Sequence, residues 1–237
     1  MAATAAIDHS ASSRVIPIDR GLPLPHTIVD LRHLLAERFP PSFTPSVARL
    51  PTGLPAVDAI TGGGFPKSAI TELSSSQVSG GTAFLLQILL HNAHQHGYFL
   101  ALVDGRDSFD PQPLGNRRLR NLLWIRCAKA LEAIKASDLL LRDGNFPLVV
   151  LDLVLNRFAE LRKIPQTSWY RLQRLVETAP TAFLILTRVS MISSAQLKLS
   201  LKNSWTLTDL EEDRNAARLQ IVVTKTQGGR QRLIGGS

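Results

Sequence analysis

The sequence predicts an α/β domain with a mostly parallel central sheet, an antiparallel hairpin at its C-terminal end, and a helix preceding it. Three observations carry this. Short apolar segments without polar alternation, such as PLVVLDL and TAFLILT, take turns with amphipathic helical patterns, as strands covered on both faces do. Near the C-terminus the segments alternate apolar and polar instead, as half-buried antiparallel strands do. Before all of this, the proline-rich stretch FPPSFTPS separates one periodic helix from the rest.

In chain order, residues 1–26 read as a flexible tail. Residues 27–45 hold a helix, Thr27 to Phe39, with Ile28, Leu31, Leu34 and Leu35 on one face, followed by the stiff linker. The main domain is expected over 46–237. Within it the pattern predicts strand 69–74, helix 82–94, strand 98–104, helix 131–142, strand 147–153, helix 169–178 and strand 181–187. Segments 204–210 and 218–226 alternate, and Gly228–Gly229 leads into 230–234, which reads as the closing hairpin.

Composition narrows the function classes. The 237 residues are 44% hydrophobic, which excludes a largely disordered chain. Lys and Arg number 27 against 19 Asp and Glu, a net charge of +8 that leans mildly toward polyanionic partners. The single cysteine, Cys127, forms no internal disulfide, which suits a reducing cytoplasm. The apolar run Ala83–Leu90 is interrupted by Gln87 and falls far short of the ~20 residues of a membrane span. The first fifteen residues lack the apolar core of a secretion signal. No G-x-S-x-G or H-E-x-x-H motif is present, so nothing points to a serine hydrolase or a zinc protease.

Strand 69–74 runs through SSSQVSGGT into a helix, an arrangement in which converging N–H groups and the helix dipole attract a phosphate. Against the pattern G-x-x-x-x-G-K-[ST], Ser75 replaces the first glycine and Gly81 replaces the lysine. Gly80 and Thr82 match. Ser79, Gly80, Gly81 and Thr82, with Asp152 at the end of PLVVLDL, are therefore the candidate residues of a degenerate nucleotide site.

Around that loop the sequence resembles RecA-type recombinases from about residue 46 to 235. Thr52 and Gly53, the pair Val57–Asp58, the turn Gly62–Gly64, and VDGRDSFDP with Asp104, Asp110 and Pro111 carry the resemblance. It implies a three-layer RecA-like fold, with Asp152 as the acid of the Walker B strand. It also implies that the catalytic glutamate would stand two residues after Asp104, where this chain has Arg106. The adenine-packing aromatic would be at Pro113, and the glutamine that couples nucleotide to DNA would be at Thr187. Loss of a lysine–phosphate bond weakens nucleotide binding by about 10- to 150-fold, roughly 1.5–3 kcal/mol. Loss of a positioned base lowers rate by a further ~10²–10⁴, and arginine cannot take a proton from water. Hydrolysis is thus not expected, no cofactor is required, and weak binding of ATP and magnesium is left open.

An eroded phosphate loop on a core of this size resembles the ImuA family and its SulA-related cousins. That resemblance implies a non-catalytic protein of the DNA-damage (SOS) response that supports translesion synthesis in the cytoplasm. Its implied partners are RecA, an ImuB-type Y-family relative and a DnaE-type polymerase, with single-stranded DNA and self-association left open. An ATP-dependent recombinase and a SulA-like division inhibitor are the rival readings. Candidate contacts to DNA or a partner are Arg117, Arg118, Arg120, Arg188, Lys198 and Lys202. The acids of the Asp-Pro turn are read as turn formers, and His91, His94 and His96 as a helix end suited to partial positive charge, so no metal site is expected. Trp124, Trp169 and Trp205 sit in apolar periodic contexts and are expected in the core; Cys127 is expected to be a buried, inert thiol.

Overall fold

The computed structural model describes residues 48–76, 81–202 and 219–226. The helix expected over 27–39, the segment 204–210 and the Gly228–Gly229 turn lie outside the described residues.

A two-stranded antiparallel ribbon, β1 (Arg49–Leu50) and β2 (Phe65–Pro66), flanks the helix α1 (Pro55–Thr61). The main sheet contains β3 (Ala69–Ser75), β4 (Leu100–Asp104), β5 (Leu122–Arg126), β6 (Leu148–Asp152), β7 (Ala182–Thr187), β8 (Leu197–Leu201) and β9 (Ile221–Thr226). Their order is β5-β4-β6-β7-β3-β8-β9, parallel throughout except for the antiparallel pair β8–β9. The helices are α2 (Gly81–Gln95), α3 (Gly115–Leu119), α4 (Ala130–Asp143), α5 (Phe158–Leu161) and α6 (Gln166–Glu177).

Alternate residues of each central strand feed two separate cores. Leu73, Leu102, Val150, Leu184 and Leu199 pack with Leu85, Leu86, Leu89 and Leu90 of α2. Ile70, Val103, Leu151, Phe183 and Ile185 pack with Ile134 and Leu141 of α4 and with Trp169, Leu172 and Val176 of α6. The result is three layers, helix over sheet over helix, as expected. Among the described residues no helix is long and apolar enough to cross a membrane.

Two elements depart from the sequence expectation. The strand Leu122–Arg126 was not anticipated; it is an edge strand with a half-exposed pattern, so its apolar signal is short and mixed. The second is β8, Leu197–Leu201, which the sequence reading does not name; it supplies the expected C-terminal antiparallel pair by joining Ile221–Thr226, while the segment following Gly228 lies outside the described residues. The LKLSL alternation that marks β8 places Leu197, Leu199 and Leu201 inside and Lys198 and Ser200 on the half-buried face.

Candidate functional site

The chain leaves β3 and crosses β7 and β6 to form β4, so the carboxyl ends of these strands line a crevice of the kind in which open α/β sheets bind ligands. Register places Ser74 opposite Thr187, Leu186 opposite Asp152, and Asp152 opposite Asp104. The parallel sheet therefore gathers the sequence-predicted acids into one row.

Ser79 and Gly80 lie outside the described residues; Gly81, buried, begins α2, with Thr82 half-buried behind it. A Cβ on Gly81 would stand 2.7 Å from Cδ2 of Leu201, a buried β8 residue. A side chain at the lysine position would therefore have to displace the Leu201 methyl. Asp152 is half-buried, and its carboxylate accepts the Val154 N–H at 2.9 Å. Burial pushes its pKa up to about 6; the Val154 N–H opposes this and the charge of Asp104 adds to it.

Asp104 is a turn former, as the sequence suggests. Fully buried, it accepts N–H groups of Ser108 at 2.7 Å, Phe109 at 2.8 Å and Arg106 at 3.2 Å. Arg106 extends into solvent and donates to the Ala128 carbonyl at 3.2 Å. Asp107 takes a positive φ of 53° and turns the other way, where Arg126 grips both its oxygens and holds the carboxyl below the usual range. Beside Arg126, Trp124 is only half-buried: the guanidinium lies 5.0 Å from its ring centroid and Phe109 meets it edge-on at 5.4 Å. Trp124 thus packs against the core as expected but at its margin, because β5 is an edge strand among the described residues. Trp169 is in the core; Trp205 lies outside the described residues. Cys127 is buried, and burial raises its pKa.

The threonine–glycine segment closes on the Val57–Asp58 pair: Thr52 donates both its N–H, at 3.0 Å, and its hydroxyl, at 2.8 Å, to the Asp58 carboxylate. A cavity of about 150 Å³ lies between the loops that follow β6 and β7, lined by Ser76, Asn156, Phe158, Arg188, Val189 and Met191 among others. Phe158 and Val189 are more than half exposed beside it. Asn156 is buried and donates to the Gly105 carbonyl at 2.8 Å, leaving its own side-chain oxygen without a hydrogen-bond partner.

The candidate cations do not form one surface. Arg117 and Arg118 line a separate cleft of about 330 Å³ with His91 and His94; Arg120, exposed, follows α3. Arg188 and Lys202 are exposed. Lys198 is committed inward, its Nζ 2.9 Å from a Glu72 oxygen and 2.9 Å from the Ser190 hydroxyl. Among the described residues no group of His, Cys, Asp and Glu is placed to hold a metal ion.

Glu72 is the residue that sequence reasoning passed over. Fully buried on β3, it accepts N–H groups of Met191 at 2.7 Å and Ile192 at 3.1 Å and the Ser190 hydroxyl at 2.9 Å. It thereby ties the strand entering the phosphate loop to the loop after β7. A single acid inside the apolar run AITEL was the available signal, since an unpaired buried charge is too unfavourable to persist.

Comparison with known proteins agrees with this architecture. No protein-family model matches the chain. It is similar to Protein RecA of Frankia alni, 31% identical over 113 residues, covering 46% of this chain and 32% of that one. Protein RecA of Clavibacter michiganensis subsp. michiganensis is 34% identical over 112 residues, covering 46% and 30%. Protein RecA of Cutibacterium acnes is 32% identical over 116 residues, covering 47% and 32%. The chain spans about a third of the length of the RecA proteins it matches. With a parallel sheet edged by one antiparallel pair, and with this similarity over nearly half its length, the chain is RecA-like.

Proposed function

We infer that this chain is a RecA relative of ImuA type that has lost ATP hydrolysis and serves as a non-catalytic protein of the DNA-damage response. In this reading it supports translesion synthesis in the cytoplasm through contacts with RecA or with error-prone polymerase proteins. The observation that carries it is Arg106. Where the resemblance implies a base, the chain has a guanidinium, a donor with no acceptor site, hydrogen-bonded to the Ala128 carbonyl. The contact of Leu201 with Gly81 is consistent with the same reading, since any side chain at this position would have to displace the Leu201 methyl.

The test is phosphate release from ATP by the purified chain, with and without single-stranded DNA, together with capture of purified RecA, a Y-family relative or a DnaE-type polymerase. Background-level release with saturable binding of one of these proteins is expected. Turnover that disappears in Asp152→Ala would assign an ATP-dependent recombinase instead. Binding only to a tubulin-like division protein would assign a SulA-like inhibitor.

A further inference from the structure

A second cleft, of about 430 Å³, opens where the turn after β4, the start of α4 and the segment around α5 meet. Its lining is Arg106, Lys129, Arg157, Ala159, Glu160 and Lys163: four cations and one acid. Gly105 makes this convergence possible. A Cβ there would stand 2.5 Å from the Asn156 side-chain oxygen and 2.8 Å from the Asp152 carbonyl, so only glycine lets the β4 turn approach the segment carrying Arg157 and Lys163 so closely.

Glu160 offsets only one of the four positive charges, and its oxygens are already engaged. One of its oxygens accepts the Ala130 N–H at the start of α4, at 2.6 Å, and the other faces the Asn156 amide at 3.4 Å. Arg106 binds only a backbone carbonyl. Among the described residues, Lys129, Arg157 and Lys163 have no acidic partner, whereas Arg126, Arg142, Arg171 and Lys198 are all ion-paired. Four exposed cations thus share one cleft with a single carboxylate, which leaves it an excess of positive charge.

We propose that this cleft binds a small anion bearing two or three linked phosphates, of the class of inorganic tripolyphosphate. Two guanidinium forks suit paired phosphoryl oxygens, and two ammonium groups add point charges. The cleft falls in the volume range of small-ligand sites. Among the described residues its only apolar lining residue is Ala159, so recognition is by charge and does not require a nucleobase. This inference does not rest on the proposed function, which concerns hydrolysis and protein partners.

The probe is tripolyphosphate titrated into the full chain by calorimetry at low salt. Saturable one-to-one binding is expected, retained in Thr82→Ala and weakened about tenfold or more in Arg157→Gln and in Lys163→Gln, each checked for native circular dichroism. Affinity should fall as salt rises. No saturable binding, or unchanged binding by the Arg157→Gln/Lys163→Gln double variant, would overturn the assignment. Loss in Thr82→Ala with retention in the double variant would overturn it too, placing the anion at the loop. An oligothymidylate that displaces tripolyphosphate with higher affinity would assign the cleft to a nucleic-acid strand and reject the small ligand.

Discussion

Glu72 and Lys198 are register partners on the parallel strands β3 and β8, and their charged groups meet at 2.9 Å with the carboxylate fully buried. The same carboxylate takes the N–H groups of Met191 and Ile192. One side chain therefore holds together the phosphate-loop strand, its neighbouring strand and the loop that follows β7.

Glu72→Ala should destabilise the fold by about 3–5 kcal/mol, because it strands a partly buried ammonium and two buried N–H donors. Lys198→Met should have the smaller effect, about 1–2 kcal/mol, since the carboxylate keeps three donors. Urea unfolding of both variants checks the order. Faster hydrogen exchange at Met191 and Ile192 should accompany the first; equal losses would refute this division of roles.

Gly81→Lys should not restore ATP hydrolysis. The new side chain meets Leu201 at its first carbon, and overpacking of this kind lowers stability by about 1–3 kcal/mol. Gly81→Lys with Leu201→Ala should recover part of that stability, yet still release no phosphate, because Arg106 remains. Phosphate release by the double variant would contradict the assignment of Arg106.

Asp152 gives a pH signature. Its folded pKa of about 6 lies above the unfolded value of 3.8, so the folded state binds the extra proton between these values. The destabilisation is fully present above pH 6 and is relieved as pH falls toward 4. Asp152→Asn should therefore stabilise the protein by about 1–3 kcal/mol at pH 7.5. The advantage should vanish near pH 4, as melting temperatures of both proteins across that range will reveal.

Asp104→Asn should lower stability by about 1–3 kcal/mol, since three turn N–H groups lose a charged acceptor. Trp124 reports on it: its indole N–H lies 3.4 Å from the Asp104 carboxylate, so its emission should shift. An unchanged spectrum and midpoint would argue against a structural role for this acid.

Much of the architecture was readable before any coordinates. Strands β3, β4, β6 and β7 are apolar runs buried on both faces, and helices α2, α4 and α6 carry clear periodic stripes, so local pattern and burial agree. Edge strands were less legible. Leu122–Arg126 is half-exposed, and Leu197–Leu201 follows a long irregular loop, so neither offers a continuous apolar signal. The acids Asp104 and Asp152 stood out by position, but their side-by-side placement comes only from parallel register.

The sequence alone determined the layered α/β order, the missing lysine and the arginine at position 106, because each is a matter of residue type and spacing. Only the tertiary structure decided that Leu201 lies beside Gly81, that Lys198 turns inward to Glu72, and that Arg106, Lys129, Arg157 and Lys163 share one cleft. The physical reason is the same in each case. These relations join residues far apart in the chain, and strand pairing and close packing set their distances, which no local pattern encodes.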